Sequence, residues 1–366
     1  MIFKKAFGSK AVRLWAIIGG ALILVFTLVS VLSTTVFYEL LKSTIGGNRA
    51  VRGDGETAYK ADYDTKAEAY AAANKLNEQI NEEGIVLLKN ENGALPLKKG
   101  AKVNVFGKNS VNLVYGGSGS GAGSTDGRKT LYQSLEAAGI SYNQTLKAFY
   151  EDDTEQGSGA KRPSNPPIEN SGVFLTTGET PLSKYSDSLW DSCADEEIEV
   201  ALIVVSRIGG EGFDLPRNMK NKAGTGAVDG ANADDHYLQL DNNERALVKK
   251  VCSLENVKHV IVLINSSAAF ELGFLDDAGH YAYDKKIDGA LWIGGPGNSG
   301  IMALGRVLTG EVNPSGRLVD TYARDFTRDP TFKNIGNNML TEKKGKYVVS
   351  GDQYMESSSK SYPYYF

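Results

Sequence analysis

Glu199–Arg217 reads EVALIVVSRIGGEGFDLPR, and the fold follows from it. Val200 to Val205 is an unbroken apolar run rich in β-branched residues, the pattern of a strand buried on both faces in a parallel sheet. It gives way at once to Ser206, Arg207, Gly209, Gly210, Glu211, Gly212 and Asp214. A charged, glycine-rich loop just past the C-terminal end of a strand is where open α/β sheets bind ligands. Glycines on both sides of Glu211 let the chain turn sharply and approach a ligand closely. A lone carboxylate there suits proton transfer. A solvated turn with a structural Arg–Glu pair accounts for the same residues equally well.

Outward from this strand, apolar strands alternate with helical patterns. Strands are expected at Ile85–Leu88, Val103–Phe106, Ile140–Tyr142, Val260–Asn265 and Gly289–Ile293. Helices are expected at Asp64–Glu83, Lys129–Ala138, Asp241–Val251 and Ser299–Leu308. Asp241, with Glu244 three residues on, has the spacing of a capping box. Residues 151–183, with their Gly, Ser, Pro and acidic residues, read as a long surface excursion. The alternation implies an α/β fold, a mostly parallel sheet with helices on both faces.

The chain has 366 residues and a net charge of −4; the four basic residues before Leu14 leave the remainder at −8. An acidic body argues against nucleic-acid binding. Cys193 and Cys252 have no metal spacing and His236, His259 and His280 form no cluster, so neither a metal nor a cofactor is expected. Leu14–Tyr38 is a 25-residue run without a charge, long enough to cross a bilayer. The preceding positive charges keep the N-terminus cytoplasmic and export the rest, giving a single-pass cell-membrane protein. A cleaved signal peptide shares this layout, but the run is long for one and no clear small-x-small site follows it. The expected divisions are a basic tail (1–13), a transmembrane helix (14–38), a linker (39–63), an α/β sandwich domain (64–325) and the start of an incomplete region (326–366).

The strand followed by S-R-x-x-G-E-G-x-D resembles the acid/base loop in the α/β sandwich domain of family 3 glycoside hydrolases, the β-glucosidase family. Asn81–Leu97 is similar to the family's lead into this domain. Val103–Gly121 resembles its first strand and glycine-rich loop, and Asp288–Leu318 its last strand, helix and closing turn. The four segments fall in the family's order over roughly residues 75–325. Retaining glycosidases use two carboxyls, one as nucleophile and one as acid then base, and the acid must hold its proton near neutral pH. The resemblance implies that Glu211 is this acid/base, with Asp214 a structural neighbour and the alternative acid. It implies a sugar site walled by Gly117 and Ser118 and bordered by Arg207 and Gly210, Arg207 more as a brace than a sugar ligand. Gly116–Gly121 lacks the Gly-Lys-Ser/Thr ending of a phosphate loop and the spacing of a dinucleotide fingerprint.

The family's nucleophile is an Asp in a Ser/Thr-Asp-Trp type motif on a (β/α)8 barrel, and no such motif occurs here. The chain therefore looks like the circularly permuted, membrane-anchored form of the family, cut before the barrel. The expected partners are β-linked glucosides or oligosaccharides, a barrel domain and the membrane. The implied function is a β-glycosidase domain supplying the acid/base, weakly active or inactive alone; the alternative is a non-catalytic exported carbohydrate-binding or interaction domain.

Overall fold

The computed structural model describes residues 10–38, 41, 61–123, 125–162, 176–211, 215–216, 218–220, 226–276, 283, 287–329, 332, 340–343, 346–349 and 353–355. The chain divides into two compact units, Met1–Asp62 and Tyr63–Phe366. The described residues of the first include a long helix, α1 (Lys10–Thr34). Its apolar stretch Val12–Thr34 has 23 residues, none buried within the protein. At about 1.5 Å per residue it spans roughly 35 Å, enough for a hydrocarbon core of about 30 Å. Length and composition are equally those of a signal sequence.

The second unit is built on a six-stranded sheet of order β1-β6-β5-β4-β2-β3. The strands are β1 (Val86–Asn90), β2 (Lys102–Phe106), β3 (Ser141–Tyr142), β4 (Val200–Arg207), β5 (His259–Ser266) and β6 (Ile287–Trp292). Five run parallel, and β1 pairs antiparallel with β6 at one edge. β4 and β5 form the centre, in register from Val200↔His259 to Arg207↔Ser266.

Side-chain alternation explains why β4 and β5 are apolar throughout. Ala201, Ile203, Val205, Val260, Val262 and Ile264 enter one core. Val200, Leu202, Val204, Ile261 and Leu263 enter the other. The first core is covered by α4 (Gln144–Glu151), α5 (Asp187–Cys193) and α6 (Asn242–Cys252), through Leu146, Leu189 and Leu247 among others. The second is covered by α3 (Leu131–Ala137) and α7 (Met302–Leu308). Each Leu, Ile or Val so buried contributes about 1.5–3 kcal/mol. The expected α/β fold, mostly parallel with helices on both faces, is the one observed.

Local sequence sets the helix starts. Thr130–Gln133 and Asp241–Glu244 form reciprocal capping boxes ahead of α3 and α6, each satisfying two backbone N–H groups otherwise without partners. A third, Thr65–Glu68, starts α2 (Lys66–Gly84). α2 lies against α7, where Arg306 bonds both Glu78 and Glu82. Gly305 of α7 allows the close approach to α3, since a Cβ there would lie 2.3 Å from the Ser134 carbonyl. Farther along, Leu340–Lys343, Lys346–Val349 and Gln353–Met355 form a three-stranded antiparallel sheet.

The excursion expected at 151–183 is partly drawn into the fold. Ser158, Arg162, Thr177, Glu179 and Thr180 are buried. Glu179 accepts the backbone N–H groups of Lys108 and Thr180, which fastens this segment to the end of β2. Two short helices, α4 and α5, were not anticipated; Asn143 and Ser186 cap them.

Candidate functional site

Four loops meet at the C-terminal ends of the parallel strands: 107–123 after β2, 208–211 after β4, 267–272 after β5 and 293–298 after β6. Asn265, the penultimate residue of β5, ties two of them to each other and to β4. Its Oδ1 accepts from Val114 N (2.6 Å) and Ser206 Oγ (2.8 Å). Its Nδ2 donates to Val114 O (2.8 Å) and Gly294 O (2.7 Å). The side chain is fully buried, and these four bonds use both lone pairs of the amide oxygen and both N–H donors. Gly297 N donates to Tyr115 O at 2.7 Å, closing the turn after β6 onto the glycine-rich loop.

The glycine-rich loop and the β4 loop also pair directly. Ser118 and Gly210 form a parallel bridge beyond the ends of their strands. Ser118 N donates to Gly209 O at 3.3 Å, and Ser118 Oγ donates to Glu211 O at 3.0 Å. The contact requires glycine at Gly210, where φ is +146° and a Cβ would stand 2.5 Å from Ser118 N. At Gly119, φ is +63° and a Cβ would stand 2.6 Å from a Glu211 carboxylate oxygen. That oxygen, Oε2, accepts Ser120 N at 2.9 Å and the Ser120 hydroxyl. Among the described residues, no hydrogen bond is made to Oε1. A small cavity of about 70 Å3 opens between the loops, lined by Tyr115, Gly116, Gly117, Arg128, Arg162 and Ile208 among others.

The structure thus places Glu211 four residues beyond β4, at the C-terminal edge of the sheet, beside Gly117, Ser118 and Gly210. Its carboxyl is shifted the opposite way from the sequence expectation. A general acid is expected to hold its proton through burial, whereas Glu211 is exposed and the Ser120 hydroxyl, then the Ser120 amide, hold its carboxyl below the ordinary range. Stabilising the charged form by hydrogen bonds lowers a carboxyl pKa, and no burial opposes it strongly here.

Arg207 was expected more as a brace than as a sugar ligand and Ser118 as a wall of the sugar site, and the fold turns both inward. Arg207 is the last residue of β4 and fully buried. Its guanidinium takes Glu244 through both nitrogens, at 2.8 and 2.7 Å. It also donates to the carbonyls of Ser206, Tyr237 and Gln239. All five N–H donors are then engaged, and the guanidinium packs over Phe270 at 4.7 Å. The burial has a simple reason: strand pairing with β5 continues through Arg207↔Ser266, two residues past the apolar run. Ser118 is likewise buried, its hydroxyl given to the Glu211 carbonyl. Asp214 lies outside the described residues.

Other titratable groups near these loops are paired internally. His236 Nε2 lies 2.9 Å from Glu271 Oε2, and His236 Nδ1 accepts Leu238 N, which puts the proton on Nε2. Buried Lys108 donates to Asp153, Ser158 and the Tyr150 carbonyl. No group of three or more His, Cys, Asp or Glu side chains suited to a metal occurs among the described residues. The residues that sequence reasoning missed are Ser120, which meets Glu211 across 91 positions, and Glu244, which meets Arg207 across 37. Glu244 carried a signal, the capping-box spacing; Ser120 carried none beyond its place in the glycine-rich loop.

A family model described as the glycosyl hydrolase family 3 C-terminal domain matches residues 85–364. Beta-glucosidase A of Butyrivibrio fibrisolvens is 32% identical over 250 residues, covering 66% of this chain and 27% of that protein. A beta-glucosidase of Ruminococcus albus is 31% identical over 260 residues, covering 71% of this chain and 24% of that protein. The chain therefore spans about a quarter of the length of these relatives. Among solved structures, beta-glucosidase 3B of Thermotoga neapolitana in complex with glucose superposes with a TM-score of 0.53 at 27% identity, covering 73% of this chain and 33% of that one.

Proposed function

This chain belongs to glycosyl hydrolase family 3, and on that premise we propose that it supplies Glu211 as the general acid/base for retaining hydrolysis of β-linked glucosides, with the nucleophile delivered by a (β/α)8 barrel domain. The observation that carries the reading is the placement of Glu211. It is a lone carboxylate at the C-terminal edge of the sheet, its backbone and side chain both held by the glycine-rich loop. A retaining mechanism needs a second carboxyl about 5–5.5 Å away. Gly116–Ala122, Ile208–Gly210 and Gly294–Asn298, the segments around Glu211, contain no Asp or Glu. In this reading the second carboxyl comes from a facing surface, and the exposed position of Glu211 suits such a meeting. That surface would also supply the burial and the neighbouring charge that raise an acid's pKa. In this reading α1 is an uncleaved anchor that holds the domain on the outer side of the membrane.

In the first step the nucleophile attacks the anomeric carbon and the bond to the leaving oxygen breaks, while Glu211 gives that oxygen its proton. In the second, Glu211 takes a proton from water as water displaces the nucleophile. Aryl and alkyl β-glucosides are assayed with this chain alone and with an added barrel domain. Turnover is expected only in the mixture. There, Glu211→Ala is expected to slow alkyl glucosides by about 10²–10⁴-fold and activated aryl glucosides much less, with azide restoring part of the rate. Full activity from the chain alone, or an unchanged rate on alkyl glucosides in the variant, would overturn the assignment.

A further inference from the structure

Glu211 is gripped unevenly: Oε2 receives the amide and the hydroxyl of Ser120, whereas Oε1 receives no hydrogen bond among the described residues. We propose, building on the acid/base reading above, that Ser120 is a positioning residue that fixes Glu211 by Oε2, so that Oε1 is the oxygen that passes the proton.

The loop is shaped around this contact. Ser118 holds the Glu211 carbonyl while Ser120 holds its carboxylate, so residues two apart on one loop clamp both ends of a single glutamate. Between them, Gly119 removes the side chain that would collide with Oε2 at 2.6 Å. Opposite, Gly210 removes the one that would collide with Ser118. An incidental surface contact between a serine and a glutamate needs neither glycine. The donors also match the cycle. When Oε1 has released its proton to the leaving oxygen, the new carboxylate keeps two N–H/O–H donors on Oε2, which stabilise the charged form. This is the form that must then accept a proton from water at Oε1. A protonated Glu211 can instead keep the proton on Oε1 without breaking the Oε2 contacts, so both states share one rotamer. Ser120 touches neither substrate nor the reacting oxygen and acts only through Glu211.

The test uses the full chain in detergent micelles, with the 13C-labelled side-chain carboxyl of Glu211 identified by its loss in Glu211→Gln. Carboxyl shifts are followed against pH in the parent, Ser120→Ala and Ser120→Thr. Ser120→Ala removes the hydroxyl, and the Glu211 titration is expected to move to higher pH, because a contact that favours the charged form is lost. Ser120→Thr keeps the hydroxyl and is expected to return the titration to its parental position. In the mixture with a barrel domain, the alkaline limb of kcat/KM, which reports the acid of the free enzyme, is expected to move upward in Ser120→Ala alone. An unmoved titration in Ser120→Ala would overturn the Ser120 assignment while leaving the acid/base reading intact, and equal movement in both variants would overturn it as loop distortion. A titration that moves as stated, with alkyl glucoside hydrolysis unaffected by Glu211→Ala, would overturn the acid/base reading and with it the catalytic part given to Ser120.

Discussion

Replacing Asn265 with alanine tests whether one amide holds the site's loops together. The variant loses four buried hydrogen bonds, to Val114 N, Val114 O, Gly294 O and Ser206 Oγ. At a net value of about 1 kcal/mol each, the loss is about 4 kcal/mol. The vacated space is about 30 Å3, roughly one water's share of liquid volume, and a water there needs two to four polar partners. The four orphaned groups provide them, so a water can recover part of the loss, giving an expected range of about 2–4 kcal/mol. Urea unfolding followed by tyrosine and tryptophan fluorescence measures it. With a slope of about 3 kcal/mol/M, at the upper end for small proteins, the midpoint falls by roughly 1 M. Asn265→Asp is expected to cost more, since it sets acceptors against the carbonyls of Val114 and Gly294 and buries a charge. A midpoint within about 0.3 M of the parent, or an aspartate variant more stable than the alanine one, would refute the argument.

Glu244→Ala leaves Arg207 charged and buried, and also removes a member of the capping box of α6; a loss of about 3–5 kcal/mol is expected, read from the same unfolding curves. Burial pushes the Glu179 carboxyl up to about 8 and that of Asp241 up to about 7. The folded state therefore holds protons that the unfolded chain releases near pH 4. Their stabilising effect is complete below that value and is lost as pH rises to about 7–8, with a slope of about 1.4 kcal/mol per pH unit for each group inside the window. Unfolding midpoints at pH 5, 7 and 9 should fall in that order, and Glu179→Gln should flatten the trend. For the anchor reading of α1, protease added to wall-stripped cells should digest the body of the chain; protection of residues 63–366 would place it in the cytoplasm.

The strands at the centre of the sheet were legible because burial on both faces leaves no polar position in the run from Val200 to Val205 or from Val260 to Ile264. The position of Glu211 was legible for a related reason: a glycine-rich break after such a strand falls at the C-terminal edge. Arg207 was legible as a brace, but not its burial or its partner, because strand pairing extends past the apolar run and Glu244 sits on a helix start 37 residues later. Nor was the downward shift of the Glu211 carboxyl, which comes from a serine 91 residues away. Pairing of β1 with β6 joins distant parts of the chain and leaves no local trace, so the antiparallel edge was visible only as a short strand. The helices α4 and α5 were hidden by their length, seven or eight residues in polar surroundings.

The bridge between Ser118 and Gly210 has a thermodynamic consequence. Loops that carry catalytic groups often lose conformational entropy when they close on a ligand, which weakens binding. Here the glycine-rich loop is stitched to the β4 loop, and to Asn265, when the domain folds, so that loss is incurred before any ligand arrives. The loop that carries Glu211 then behaves as an extension of the sheet rather than as a lid. A mutation that frees Gly210 from Ser118 should accordingly leave the sheet intact, yet make association with ligand carry a larger unfavourable entropy.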